Sequence, residues 1–450
     1  MKFGMFYEHQ IGRPWEEDTE RQLIQDALEQ IELADSLGFS HVWEVEHHFL
    51  EEYSHSSAPE VFLAAASQRT RQIRLGHGIV LTAPRFNHPA RTAERIAMLD
   101  LVSNGRVEFG TGESSSAAEL GGFGITFEDK RDAWLEGLEV AVRCMTEVPF
   151  AGVEGRFVKM PPRNVVPKPV QKPHPPLWVA CSRRDTILLA AEKGIGALTF
   201  AFIDPEEARH WVHDYYTTLE ERGVPVGLAV NPNLACVTPM MLHHDEGEAI
   251  RRGIEGANFF GYSLGHFYVF GTHEPGRTNV WEEYLARRSA VGYDPEAAAR
   301  ALEQERLGAK LASGDSTGLR GAIGTPDQVR EYLRRYEEAG VDQVIFVLQA
   351  GRNRHEHIMD SIELFGRDVL PEFLERDERQ SAEKAERLAP VIEKVMARRP
   401  VVERSVDGYQ ITAIIKKMAD DMGDAKLQEA IDRFEEDRAA GRRDAFLGTN

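Results

Sequence analysis

Two imidazoles and a carboxylate stand together in the run Val45-Glu46-His47-His48-Phe49. Histidine is the side chain whose proton exchanges near neutral pH, and an adjacent carboxylate can fix its tautomer. Glu46 and His47 are therefore the first candidates for catalysis, with His47 as acid, base or hydrogen-bonding group and Glu46 as its support. A structural role for both histidines is the alternative. Metal binding needs three or more converging ligands, and no second matched cluster accompanies this run, so no metal is assigned.

Two other runs could hold an anion. Gly110-Thr111-Gly112-Glu113-Ser114-Ser115-Ser116 joins glycines, which let a ligand approach the backbone, to hydroxyl donors. Cys181-Ser182-Arg183-Arg184-Asp185-Thr186 leads from a strand into a helix, where N–H groups, the helix dipole and arginine favour phosphate. Together they suggest one phosphorylated cofactor lying across both loops. The glycine in Gly78-Ile79 could let a flat ring lie against the main chain, although a glycine in a strand more often marks a bulge. Tyr7, Phe200 and Phe202 could line an apolar substrate pocket, and core packing accounts for them equally well.

These runs fall at the ends of apolar segments that alternate with helical patterns, which is the signature of repeated βα units around a parallel sheet. Strands are predicted over 2–8, 41–48, 73–81, 106–112, 176–182, 196–202, 228–242 and 343–349. Eight such units make a (β/α)₈ TIM barrel, whose active site lies at the C-terminal ends of the strands. Gly324-Thr325-Pro326-Asp327 reads as a helix start, with Thr325 at the cap and Pro326 in the first turn. Two stretches interrupt the pattern, the first a proline-rich extended connection from Met160 to Pro176. A long insertion after the seventh strand, about 243–320, carries Phe259, Phe260, Tyr262, Phe267, Tyr268, Phe270 and Trp281, and reads either as a packed helical excursion or as an apolar lid. Beyond the barrel, taken as 1–376, residues 377–450 form a charge-rich C-terminal helical extension.

The net charge of −20 argues against nucleic acid, whose phosphates need a basic surface. No apolar run approaches the roughly 18 residues of a membrane span. The N-terminal residues read directly as a strand with no secretory signal, and the three cysteines are widely spaced, so a cytoplasmic protein with reduced thiols is expected.

In their order along the chain, several motifs resemble the bacterial-luciferase-like family of flavin-dependent oxidoreductases, with a pattern similar to its limonene-monooxygenase-like branch. They are Met1-Lys2-Phe3-Gly4, Glu46-His47-His48-Phe49, Phe62-Leu63-Ala64-Ala65-Ala66, Leu75-Gly76-His77-Gly78-Ile79-Val80, His88-Pro89, Gly105-Arg106-Val107-Glu108-Phe109-Gly110 and Gly324-Thr325-Pro326. The resemblance implies a barrel that takes reduced FMN from a separate flavin reductase and reacts it with O₂. The resulting flavin C4a-(hydro)peroxide then oxygenates a small organic substrate. It also implies His47 beside the flavin ring with Glu46 close by, a cis peptide at Gly78-Ile79, a phosphate site on Glu113, Ser114, Ser115, Cys181, Ser182, Arg183 and Thr186, and a homodimer. Glu113 departs from the pattern, because the luciferase α-subunit carries an arginine for the phosphate there. Two other readings remain: hydride transfer with the deazaflavin F420, and a non-catalytic flavin-binding subunit.

Overall fold

In the computed structural model, which describes residues 1–200, 203–290 and 320–441, eight parallel strands close into a ring. They are β1 (Lys2–Tyr7), β2 (His41–Glu44), β3 (Arg74–His77), β4 (Val107–Gly112), β5 (Leu177–Cys181), β6 (Gly196–Thr199), β7 (Leu234–Leu242) and β8 (Gln343–Val347). Each pairs with the next, and β8 pairs back with β1 through Lys2↔Gln343 to Phe6↔Val347, so the ring closes on itself, with a short strand Ala322–Gly324 added beside the end of β7. The fold is the (β/α)₈ barrel expected from the alternation of apolar runs. Several strands stop short of their predicted ends. β2 ends at Glu44, which places the whole Glu46 to Phe49 run in the following loop.

Large indoles fill the barrel. Trp43 and Trp178 meet edge to face at 5.3 Å, and each lies over a glycine, Gly76 and Gly196, whose Cβ would collide with it. Gly110 is the tightest position, since a Cβ there would come within 1.8 Å of the His77 carbonyl. The register between β3 and β4 slips by one residue: Gly76 faces Glu108, but Val80 faces Thr111. The extra residue at Gly78-Ile79 is a bulge that turns the end of β3 at the mouth.

Helices α1 (Thr19–Leu37), α2 (Pro59–Arg69) and α3 (Pro89–Val102) cover the first strands. α1 ends at Gly38 in the left-handed conformation, φ 96°. The helix Pro326–Ala339 opens on Thr325 as its cap, as its sequence predicts, and the structure adds a complete capping box with Gln328. The insertion begins with the helix Glu246–Gly265, passes through a π-helical turn at His266–Phe270 and continues in the helix Val280–Ala290; residues 291–319 lie outside the described residues. The first compact unit runs from Met1 to Val402 and includes the long helix Leu370–Ala397, tied by Lys384 to Asp342 at 2.6 Å and by Arg376 to Glu337 at 2.6 Å. A second unit begins at Glu403, with helices Ile414–Met422 and Ala425–Ala439. Among the described residues no helix is long and apolar enough to cross a membrane.

Candidate active site

The loop after β2 is pinned by main-chain bonds from Glu46 N to Ile79 O at 2.9 Å and from His47 N to Ser56 O at 2.8 Å. From this frame the His47 ring projects between two carboxylates. Nδ1 lies 2.9 Å from Glu119 Oε1, and Nε2 lies 3.6 Å from Glu8 Oε2. Burial alone would lower the His47 pKa, but the charges of Glu119 and Glu8 outweigh it and raise it to about 9.

Glu119 sits on a short helix, Ala117–Gly122, and is fully buried. Besides the His47 contact, its Oε1 accepts from His48 N at 2.9 Å and its Oε2 from Ser114 Oγ at 2.6 Å. Burial would raise this carboxyl, yet the His47 charge and these hydrogen bonds hold it below the usual range. In sequence Ser116-Ala117-Ala118-Glu119 has the spacing of a helix-capping box. The structure shows no side-chain cap bond from Ser116, and Glu119 turns to the histidine instead. Glu8 directly follows β1, with its Oε1 accepting from Tyr53 Oη at 3.0 Å. Burial pushes the Glu8 carboxyl up to about 7, with His47, Tyr53 and Ser54 pulling it down.

Glu46 has other partners. Its carboxylate accepts from Leu81 N at 2.7 Å and Asn87 Nδ2 at 2.8 Å and lies 3.2 Å from His48 Nε2, so it ties the loop to the end of β3. The groups that meet the His47 ring are Glu119 and Glu8, neither of which the sequence singled out. Glu8 could have been found by its place at a strand's C-terminal end. Non-glycine residues with positive φ gather in the same loops: His9 at 50°, Phe49 at 66°, Glu51 at 37° and Ser114 at 60°. Such backbone persists only where its surroundings enforce it.

The insertion reaches this site. Tyr268, on the π-helical turn, has its ring 6.4 Å from His47 and 6.0 Å from Tyr53. Phe260 packs on Tyr53 at 5.6 Å. Glu52, wholly buried after β2, accepts from Val280 N at 2.6 Å, Trp281 N at 3.1 Å and Arg13 N at 2.8 Å, and so caps the second helix of the insertion. Glu51 holds the same stretch through Gly276 N at 2.8 Å and His273 Nε2 at 3.1 Å.

The hydroxyl loop after β4 carries compensating cations. Lys130 Nζ lies 3.0 Å from Glu113 and donates to Ser114 O at 2.9 Å and Ser115 Oγ at 3.2 Å. Arg131 lies 3.2 Å from Glu113 and 3.9 Å from Asp185, linking this loop to the one after β5. Ser116 Oγ is buried without a hydrogen-bond partner. In the β5 loop Ser182 and Arg183 are exposed at a helix N-terminus, with Arg183 paired to Asp185 at 3.3 Å, while Thr186 Oγ1 accepts from Arg183 N at 3.3 Å. Cys181 is buried, its thiol directed to Val179 O at 3.5 Å and in reach of the Thr186 hydroxyl.

Gly78 lies against Phe6 and Trp43, and Ile79 covers Gly112. The peptide between Gly78 and Ile79 is trans, in contrast to the cis bond implied by resemblance; the cis bonds among the described residues all precede proline. Phe200 packs on Phe6 at 5.1 Å near the barrel interior. Tyr7 faces outward, donating to Gln30 of α1 at 3.0 Å, and so does not line the mouth. Phe202 lies outside the described residues. The cluster Asp26, Glu29 and His355, which could hold a metal ion, joins α1 to the helix His355–Asp368 on the outside of the barrel.

Comparison with known proteins agrees with this architecture. The chain is 25% identical over 389 residues to the oxygenase component of a flavin-dependent trigonelline monooxygenase of Acinetobacter baylyi, covering 83% of this chain and 96% of that protein. Among solved structures, the monooxygenase RslO1 of Streptomyces bottropensis superposes with a TM-score of 0.64 at 26% identity, over 83% of this chain and all of that one. The coenzyme F420-dependent tetrahydromethanopterin reductase of Methanopyrus kandleri shares the fold, with a TM-score of 0.56 at 22% identity over 83% and 99% of the two chains. The matched region spans about half the length of two uncharacterized proteins of Sinorhizobium fredii, y4wF and y4vJ, at 36% and 30% identity over 38% and 40% of this chain. The model of the luciferase-like monooxygenases matches residues 1–343, from β1 to the start of β8, and the chain belongs to that family.

Proposed function

We propose that the protein is a flavin-dependent monooxygenase that uses reduced FMN and O₂ to oxygenate a small organic substrate. The observation that carries this reading is the His47 ring held between Glu119 and Glu8 at the barrel mouth, beside two loops suited to a phosphate. Bound reduced flavin would supply the electrons that activate O₂. Its phosphate would be held by Ser114, Ser115, Ser182, Arg183 and the helix start at Thr186, with Lys130 and Arg131 offsetting Glu113. The partnerless Ser116 Oγ and the exposed donors after β5 fit such a group.

His47 holds the proton at the reacting centre. Glu119 fixes its Nδ1–H, which leaves Nε2 to donate to or accept from the substrate. Glu46 acts at one remove, by setting the loop that carries His47. The strap bearing Tyr268 would cover the His47 side of the mouth and limit the entry of bulk water there. The flavin would arrive already reduced by a separate reductase. The outer face of α2 and α3, with Val61, Met98, Leu101 and Val102 exposed, supports pairing of two copies.

Anaerobic titration with FMN, reduced FMN and F420, followed by mixing with O₂ while flavin absorbance is recorded, tests the reading. Reduced FMN should bind and its absorbance should change in an oxygen-dependent step. Tight F420 binding with no oxygen-dependent change overturns it. His47→Ala should abolish product while leaving flavin affinity near wild type.

A further inference from the structure

We infer that Glu8 shares one proton with His47 and returns to His47 Nε2 each proton that this ring delivers in turnover; the inference rests on the flavin-site reading above. Glu8 Oε2 is buried and has no hydrogen-bond partner. An ionised carboxylate oxygen left in that state is costly, and it becomes tolerable when it carries a proton or faces a cation. The atom it faces is His47 Nε2, at 3.6 Å.

The carboxylate has little freedom to turn elsewhere. The Glu8 carbonyl accepts from Ser54 Oγ at 2.8 Å and His55 N at 3.1 Å, and Oε1 is occupied by Tyr53 Oη at 3.0 Å. On the other side of the ring, Glu119 retains the Nδ1 proton. Only Nε2 is therefore left to exchange. The 3.6 Å gap exceeds a hydrogen bond, so transfer needs a small ring movement or one bridging water.

The step balances without any redox change. The O–H bond on Glu8 Oε2 breaks and an N–H bond forms on His47 Nε2, with the electron pair remaining on the carboxylate. A hydronium ion from solvent then reprotonates Glu8 and leaves as water. The other titratable groups facing the pair are Glu44, which holds His9 at 2.9 Å, Glu46, Glu119, Tyr53 and, on the insertion, Tyr268. Burial raises Glu8 to about 7 and the two carboxylates raise His47 to about 9, so the carboxyl is ready to give up its proton in the neutral range.

Glu8→Gln keeps the shape and removes the exchangeable proton. In the cofactor-free protein, ¹⁵N NMR of the histidine rings should show the His47 midpoint falling by about one unit or more, because an opposing charge has gone. In the loaded enzyme steady-state turnover should fall by about 10-fold or more, further than the first turnover does, and its alkaline limb should move to lower pH. Tyr53→Phe, which removes a hydrogen bond that lowers Glu8, should raise the carboxyl midpoint and keeps the inference testable if Glu8→Gln fails to fold. An unchanged His47 titration in Glu8→Gln, or an unchanged carboxyl midpoint in Tyr53→Phe, overturns the inference. Normal flavin binding without proton coupling sinks this inference alone. Intact coupling without flavin binding sinks the flavin reading alone.

Discussion

Around the loops after β1, β2 and β4, carboxylates are buried and directed at one imidazole: Glu119 at 2.9 Å and Glu8 at 3.6 Å from His47. Around the loop after β5 the charged groups are exposed and paired with surface acids, Arg183 with Asp185 at 3.3 Å and Arg184 with Asp214 at 2.5 Å. The first region has its geometry set before any ligand arrives, which is what proton transfer needs. The second holds weak, screened pairs that an incoming anion can replace. On the proposed reading, preorganisation is thus concentrated where protons would move, and adaptability where the flavin phosphate would dock.

The contrast fails if its first half proves soft. Glu119→Ala removes the partner of His47, Ser114 and the His48 amide together, and steady-state product formation should fall by about 10³-fold with flavin affinity little changed. A loss below about 10-fold would mean that the imidazole needs no preset partner. Next in size, Glu52→Ala should destabilise the protein by about 3 kcal/mol in denaturant unfolding, because two buried N–H groups and the partly buried one of Arg13 lose their acceptor.

Smaller effects belong to the adaptable half. Arg183→Ala should weaken FMN binding by about 10-fold in a calorimetric titration, leaving turnover at saturation intact. Glu113→Gln should tighten FMN by about 3-fold, since Lys130 and Arg131 would be released toward the phosphate. A fall in affinity instead would show that Glu113 organises its loop. Smallest is a slope with pH. His47 keeps its proton up to about 9 in the fold, against about 6.5 for an unfolded histidine, so the stability it contributes is complete below that lower value and disappears as pH rises through 9. Tm should decline across that window, and His47→Gln should flatten the decline.

Much of this was legible in the sequence. The barrel could be read because apolar strands and periodic helices alternate, and the mouth could be read from His47 and the serines of the β4 loop. Glu119 was hidden because Ser-x-x-Glu is also how a helix caps itself, and only the tertiary arrangement shows which role the carboxylate takes. Tyr7 could have been placed by parity. Phe3, two pairs of residues earlier on β1, packs on the outer Phe365 and Phe373, so Tyr7 shares the outward face, while Phe6 faces inward toward Phe200. The Glu46 contacts depend on the bulge at Gly78-Ile79, a one-residue slip that strand periodicity alone does not register.

Glu52 also bears on how such a barrel can be re-engineered. The helix Val280–Ala290 takes its starting signal from a residue 228 positions away, across most of the barrel's strands. The insertion and the β2 loop are therefore one exchangeable part: a chimera that grafts a foreign strap onto this barrel inherits a buried acid with nothing to cap unless the loop bearing Glu51 and Glu52 travels with it.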